Sequence, residues 1–162
     1  MASNVKAVPE GYHTVTPNLS LRDAAKAIEF YQRAFGAREV SHFNMPDGKI
    51  GHAEIKMGDS TVMLVDETPQ TGCRAPTSLN GTTVGFFLYV EDVDTTVQKT
   101  VRAGAAVTMP VADMFWGDRM GQVQDPFGHR WSVATHKADL SPAQIEQRGQ
   151  ECFASLPGGT NK

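Results

Sequence analysis

Apolar residues recur at three- and four-residue steps between Asp23 and Phe35, at Ala24, Ala27, Ile28, Tyr31, Ala34 and Phe35. That spacing lines them along one stripe of an amphipathic helix of about three turns, with Asp23 as its N-cap and Gly36 as its stop. Thr14 to Leu21 leads into the helix, and Val15, Leu19 and Leu21 there suggest a strand despite Pro17. A second strand is expected from Arg38 to Phe43, after which Met45-Pro46-Asp47-Gly48 supplies turn chemistry into Ile50 to Met57. Gly58-Asp59 turns the chain again into the apolar run Thr61 to Val65, and a polar loop follows from Asp66 to Gly81. The order is βαβββ.

The same order then repeats. Placing Leu19 on Leu88 also matches Leu21 with Val90, Asp23 with Asp92, Ile28 with Val97, Arg33 with Arg102 and Ala34 with Ala103. The pairs Gly36-Ala37 and Gly104-Ala105 follow one residue out of step, and Met120 to Asp125 with Arg130 to Thr135 supply the last two strands. Self-similarity of this kind implies two copies of one supersecondary unit, module one spanning about residues 12–66 and module two about 83–137. The expected fold is α+β. Two four-stranded units, each with a helix on one face, can pair edge to edge into a U-shaped mixed sheet with the helices outside and a concave face open to a ligand. Beyond the repeat, Ser141, Pro142 and Gln144 form a capping sequence for a C-terminal helix over about residues 141–156. Its stripe of Ile145, Cys152 and Phe153 could dock across a dimer or back on its own chain.

With 162 residues, 40% hydrophobic and 20% charged, the chain has the proportions of a single folded domain. No run approaches the ~18 apolar residues of a membrane span, and MASNVKAVPEGYH lacks the apolar segment of a secretory signal, so a cytoplasmic location with no membrane partner is expected. Fifteen Lys+Arg against 18 Asp+Glu, a net charge of −3 and no basic run leave no footprint for nucleic acid. Cys73 and Cys152 are read as free thiols.

The pairing of LSLRDAAKAIEFYQRAFGA with LYVEDVDTTVQKTVRAGA, followed by GDRMGQVQDPFGHRWSVATH, resembles the vicinal oxygen chelate superfamily of glyoxalases, bleomycin-resistance proteins and extradiol dioxygenases, in its PhnB-like branch. DPFGHRW is the sharpest match. The resemblance covers about residues 12–137 and implies the same two-module fold around a cleft. Metal-dependent members that this chain resembles carry four ligands on the first and fourth strands of the two modules. The corresponding residues here are Thr16, Met63, Gly85 and Ser132, none of them a His or a carboxylate, so no inherited metal cofactor is expected.

Other residues carry candidate chemistry. His52 and Glu54 lie two apart on a strand and so share a face. They could hold a divalent metal with His13 or His129 nearby, or simply occupy a solvated strand face. His13, just before the first strand, could act as an acid or base at the cleft mouth. His129 lies in the turn after Asp125-Pro126, where a structural role is expected, and His136 closes the last strand. Phe115, Trp116 and Arg119 combine stacking area with a fork for an anionic group, unless Asp118 and Arg119 merely close a turn. Phe86 and Met63 face either the cleft or the core. Trp131 reads as core. No nucleophile elbow, phosphate loop or dinucleotide fingerprint is present.

The leading expectation is a metal-independent homodimer that sequesters an aromatic or partly polar small molecule, with Phe86, Phe115, Trp116 and Arg119 as ligand contacts. The alternative is a metal-dependent lyase, isomerase or dioxygenase using His52 and Glu54. A third is an enzyme working by acid–base chemistry through His13 or Glu54.

Overall fold

The computed structural model describes residues 5–155. Module one comprises β1 (Asn18–Leu21), α1 (Ala24–Phe35), β2 (Arg38–Asn44), β3 (Ile50–Met57) and β4 (Ser60–Asp66). A 3-10 turn (Pro69–Thr71) and the short helix α2 (Pro76–Leu79) lie in the connecting loop. Module two comprises β5 (Gly85–Tyr89), α3 (Val93–Arg102), β6 (Ala106–Asp113), β7 (Asp118–Gln124) and β8 (Arg130–His136), and α4 (Pro142–Ala154) follows. Each module is one four-stranded mixed sheet, in the orders β1-β4-β3-β2 and β5-β8-β7-β6, with the first strand parallel to the fourth. The repeat, the α+β class and the C-terminal helix are as the sequence implies.

The repeated aspartates cap both helices. Asp23 accepts from Lys26 N at 3.0 Å and Asp92 from Thr95 N at 3.1 Å. A second pair of equivalent positions meets the next helical amide from the neighbouring strand: Ala24 N donates to Asp66 Oδ1 at 2.8 Å, and Val93 N to Thr135 Oγ1 at 2.9 Å. Gly36, at φ 67°, closes α1 in the left-handed conformation that glycine takes without steric cost.

Some boundaries differ from expectation. β1 begins at Asn18 rather than Thr14, leaving Val15 84% exposed, because Pro17 offers no N–H to a ladder. β7 begins at Asp118, two residues before Met120, and takes in Arg119. α4 ends at Ala154, and Leu156 lies outside the described residues.

One face of each sheet is apolar and covered by a helix. Leu19, Leu21, Ala53, Ile55, Val62 and Leu64 form that face in sheet one, and Val123, Trp131 and Val133 in sheet two. No ladder joins β1 to β5 among the described residues. The modules meet instead through α1, which packs against α3 and sends its aromatic side chains onto the covered face of the second sheet. Phe35 and Tyr31 lie 4.8 and 5.5 Å from the ring of Trp131, and Phe30 lies 6.0 Å from Phe127. At the centre of this joint sits the buried carboxylate of Asp125. Tyr31 OH donates to its Oδ2 at 2.8 Å and Trp131 Nε1 at 2.9 Å, while the amides of Phe127 and His129 both donate to Oδ1 at 2.9 Å. The two covered faces therefore look inward toward the helices, and the two open faces look away from each other.

Removing this acceptor strands four donors in an apolar joint. Asp125→Ala is expected to cost about 3–5 kcal/mol of unfolding free energy in urea, and Tyr31→Phe, which removes one donor only, about 1–2 kcal/mol. Equal losses in the two variants would show that the carboxylate is not the shared anchor.

Candidate functional site

Strand alternation decides which side chains reach the open faces. On sheet one these are Asn18 and Ser20 of β1, Thr61, Met63 and Val65 of β4, and His52, Glu54 and Lys56 of β3, in a register that sets Met63 between Asn18 and Glu54. His52 Nε2 lies 3.0 Å from Glu54 Oε1. The Tyr12 hydroxyl also acts on the Glu54 carboxyl. His52 first, then Tyr12, hold the Glu54 carboxyl below its ordinary range, and the carboxylate in turn pushes the Tyr12 phenol up. Lys56 Nζ donates to Gly11 O at 2.6 Å, to Asp59 O at 3.0 Å and to Thr61 Oγ1 at 3.2 Å, which fastens the N-terminal arm across this face. The arm roofs a cavity of about 400 Å³ between Val8, Pro9, Tyr12, His13, Thr16 and Met63.

Sheet two presents a different surface. Phe87 and Tyr89 of β5 stand half-exposed with their rings 5.0 Å apart. Beside them Asp118 is buried and accepts from Tyr89 OH at 3.0 Å, Trp116 Nε1 at 3.0 Å and His136 Nδ1 at 2.8 Å. Burial pushes the Asp118 carboxyl up, but the three donors, His136 foremost, outweigh it and hold the group below its ordinary value. Asp139 lies 3.0 Å from His136 Nε2, so the imidazole is gripped at both nitrogens, and Asp118 and Asp139 raise its pKa. The result is an aromatic shelf with the hydrogen-bonded Asp118 and His136 beside it.

The candidate residues are dispersed by this geometry. His52 and Glu54 do come together. His13 instead faces Asp59, at 3.9 Å, and His129 is buried in module two. No group of three or more His, Cys, Asp and Glu arranged to hold a metal occurs among the described residues. Of the expected ligand contacts, Trp116 borders the aromatic shelf. Phe86 belongs to the opposite face of β5, 4.8 Å from Trp131. Phe115 lies beneath α4, where a Cβ on Gly149 would stand 3.2 Å from its ring, and Phe153 packs on it at 5.9 Å, so the last helix docks on its own chain here. Arg119 corrects the expectation of a free anion fork. Its Nε and Nη2 donate to Asp94 of α3 at 2.7 and 2.8 Å and its Nη1 to Asp113 at 3.1 Å. Adjacent residues of a strand point to opposite faces, so Asp118 and Arg119 do not pair with each other. Phe87, Tyr89 and Tyr12 were missed as site residues. The signal that could have found the first two was the parity of β5, which one residue of error inverts.

The positions that carry metal ligands in the metal-dependent proteins this chain resembles can now be compared by register. Asn18, not Thr16, pairs with Met63, and Phe87, not Gly85, with Ser132. Stepping two residues along each of these strands on the same face brings in Ser20, Val65, Tyr89 and Ala134, so no imidazole or carboxylate enters the set. Amide, hydroxyl, thioether and aromatic groups make a poor donor set for a divalent cation.

A model of the glyoxalase/bleomycin resistance protein/dioxygenase superfamily matches residues 13–133. The chain belongs to this superfamily. The Mycobacterium bovis protein Mb0911c is 43% identical over 135 residues, covering 82% of this chain and 89% of its own. Among solved structures, TioX from Micromonospora sp. ML1 is 28% identical with a TM-score of 0.60, over 76% of this chain and 98% of its own. The PhnB protein from Bacillus cereus, at 18% identity and a TM-score of 0.60 over 76% of this chain and 99% of its own, shares the superfamily fold.

The His136–Asp118 pair has a defined pH window. His136 has a raised folded pKa, so its contribution to stability is complete below the pKa of an unfolded histidine and is lost as pH rises through the folded value. Asp118 has a lowered one, so its contribution holds above the ordinary aspartate value and fades as pH falls through the folded value. In an NMR titration the His136 ring is expected to show a midpoint above that of free histidine. Asp139→Asn should lower it partway and Asp118→Asn further; a midpoint indifferent to both substitutions would contradict the pairing.

Proposed function

We propose that this superfamily member is a metal-independent, cytoplasmic small-molecule binding protein that holds an aromatic, partly polar ligand against the open sheet faces and works as a homodimer. The observation that supports it most is the exchange of side-chain chemistry on the central strands. Where metal-dependent relatives by resemblance place ligands, this chain presents Asn18, Met63, Phe87 and Ser132, flanked by Tyr89 and Trp116. Aromatic faces stack on planar guests, and each Å² of apolar surface removed from water contributes about 25 cal/mol. Buried Asp118 with its exposed partner His136, and the His52–Glu54 pair with Tyr12 beside it, offer polar groups at the rim of each face. The dimer reading rests on the open faces pointing away from each other, since a second copy is what can set one open face opposite another. Among the described residues no helix is long and apolar enough to cross a membrane.

A metal-dependent lyase, isomerase or dioxygenase is favoured by one feature only, the His52–Glu54 pair on the open face of β3, beside Met63. It would need further ligands from outside that pair.

Binding and metal content separate these readings. With 2-naphthol as probe, Trp116 fluorescence is expected to quench saturably and to the same extent with and without EDTA, and Phe87→Ala to weaken binding about tenfold, as the loss of a phenyl contact implies. Elemental analysis of protein purified without chelator is expected to show no stoichiometric metal. Zinc, nickel, manganese or iron at one per chain, lost in His52→Ala, would replace this proposal with the metal-dependent one.

A further inference from the structure

Behind the aromatic joint, on the β1 side, a groove of about 790 Å³ runs between the modules. Its walls include Pro17 and Leu19 from module one, Leu79 from the connecting loop and Phe86 from β5, with Arg74 at its margin and His129 also lining it. Leu19 and Phe86 belong to the covered sides of their sheets, while Asn18 and Ser20, which also line the groove, belong to the open face of sheet one. The volume lies within the range of small-molecule pockets, and the lining has their usual composition, mostly apolar with a few polar groups.

Two of those polar groups lack partners. The His129 side chain is only 7% exposed, yet neither ring nitrogen makes a hydrogen bond among the described residues. Nδ1 is fully enclosed, 3.8 Å from Asp125 Oδ2, which is beyond hydrogen-bond length. A buried side chain left so is uncommon in a folded protein. Burial lowers the pKa of the ring and the Asp125 carboxylate only partly opposes this, so the imidazole is neutral near pH 7, with one donor and one acceptor. With the carboxylate on the Nδ1 side, the N–H belongs there, and Nε2 is left as an acceptor for whatever enters the groove. Arg74 is exposed and makes no ion pair among the described residues, whereas Arg22 is held by Glu67 and Arg119 by Asp94.

We propose that this groove is a second ligand site, for an aromatic monocarboxylate that carries a hydroxyl or N–H at its far end. The carboxylate meets the Arg74 guanidinium, the ring lies against Phe86, Leu19 and Pro17, and the distal donor bonds His129 Nε2. A guanidinium fork, an imidazole acceptor and apolar side chains in one lining suit that class better than a dianion or a wholly apolar guest.

The test uses the full chain and 4-hydroxyphenylacetate, with phenylacetate and the neutral 4-hydroxyphenylethanol as controls, followed by NMR with side-chain-labelled protein. Saturable binding of 4-hydroxyphenylacetate is expected, with a shift of the His129 Nε2 resonance and of the Leu19 and Leu79 methyls. Each control should bind about tenfold more weakly or worse, because each lacks one polar contact. Arg74→Gln, at an exposed position, should reproduce the loss and Arg74→Lys recover part of it, while Phe87→Ala on the open face leaves the affinity unchanged. The His129 resonance is read in the unsubstituted protein, so a variant that fails to fold does not affect it. Absence of saturable binding, equal binding of the three compounds, or an effect of Phe87→Ala as large as that of Arg74→Gln would overturn the proposal. So would protection of residues 17–20 and 82–86 from hydrogen exchange that grows with protein concentration, since a second copy would then fill the groove.

Discussion

One carboxylate joins the halves of this molecule. Asp125 receives two backbone amides of its own turn on one oxygen and the Tyr31 hydroxyl and Trp131 indole on the other. The first pair shapes the turn between β7 and β8. The second ties that turn to α1 of the other module. In a site this apolar each donor has no water to fall back on, so the geometry that satisfies all four is strongly preferred over any sliding of the modules. The joint carries its specificity in these directional bonds and its bulk in the rings of Phe30, Tyr31, Phe35, Phe127 and Trp131, packed mostly edge-on or tilted.

Much of the functional geometry follows from that attachment. Because α1 and α3 lie between the sheets, the apolar faces are consumed by the core and the remaining faces look outward. The same joint borders the groove lined by His129, whose backbone amide is bound by Asp125 while its ring makes no hydrogen bond among the described residues. Two classes of surface result. The open faces are partly aromatic, and the groove is lined by apolar side chains with Arg74 and His129 among them.

Charged groups follow the same division. Arg119 and Asp94 pair on the helix side of sheet two, where they tie β7 to α3. One residue away, Asp118 turns to the opposite face and organises Tyr89, Trp116 and His136. A single step along a strand thus separates an ion pair that braces the fold from a network on the open face. The superfamily scaffold is kept while side chains on its central strands set the chemistry, as expected where function resides in a site carried on a common fold.

The sequence by itself determined the elements, their duplication and the family. Asp23 and Asp92 announce both helices, glycines mark the stops, and the repeated order defines two modules, because capping, turn formation and periodic burial are local properties. By resemblance it set the four ligand positions at Thr16, Met63, Gly85 and Ser132, whereas the strand register places Asn18 beside Met63 and Phe87 beside Ser132. Only the tertiary structure decided which neighbour on a strand faces the open side of its sheet, that Phe87 does so and Phe86 does not, and that the Arg119 fork is already filled by acids distant in sequence. It alone showed that the DPFGHRW segment, the strongest mark of family, serves as the bolt between modules. These are matters of strand parity and of contacts between residues far apart in the chain, and periodicity within a segment carries no information about the partner that a side chain meets.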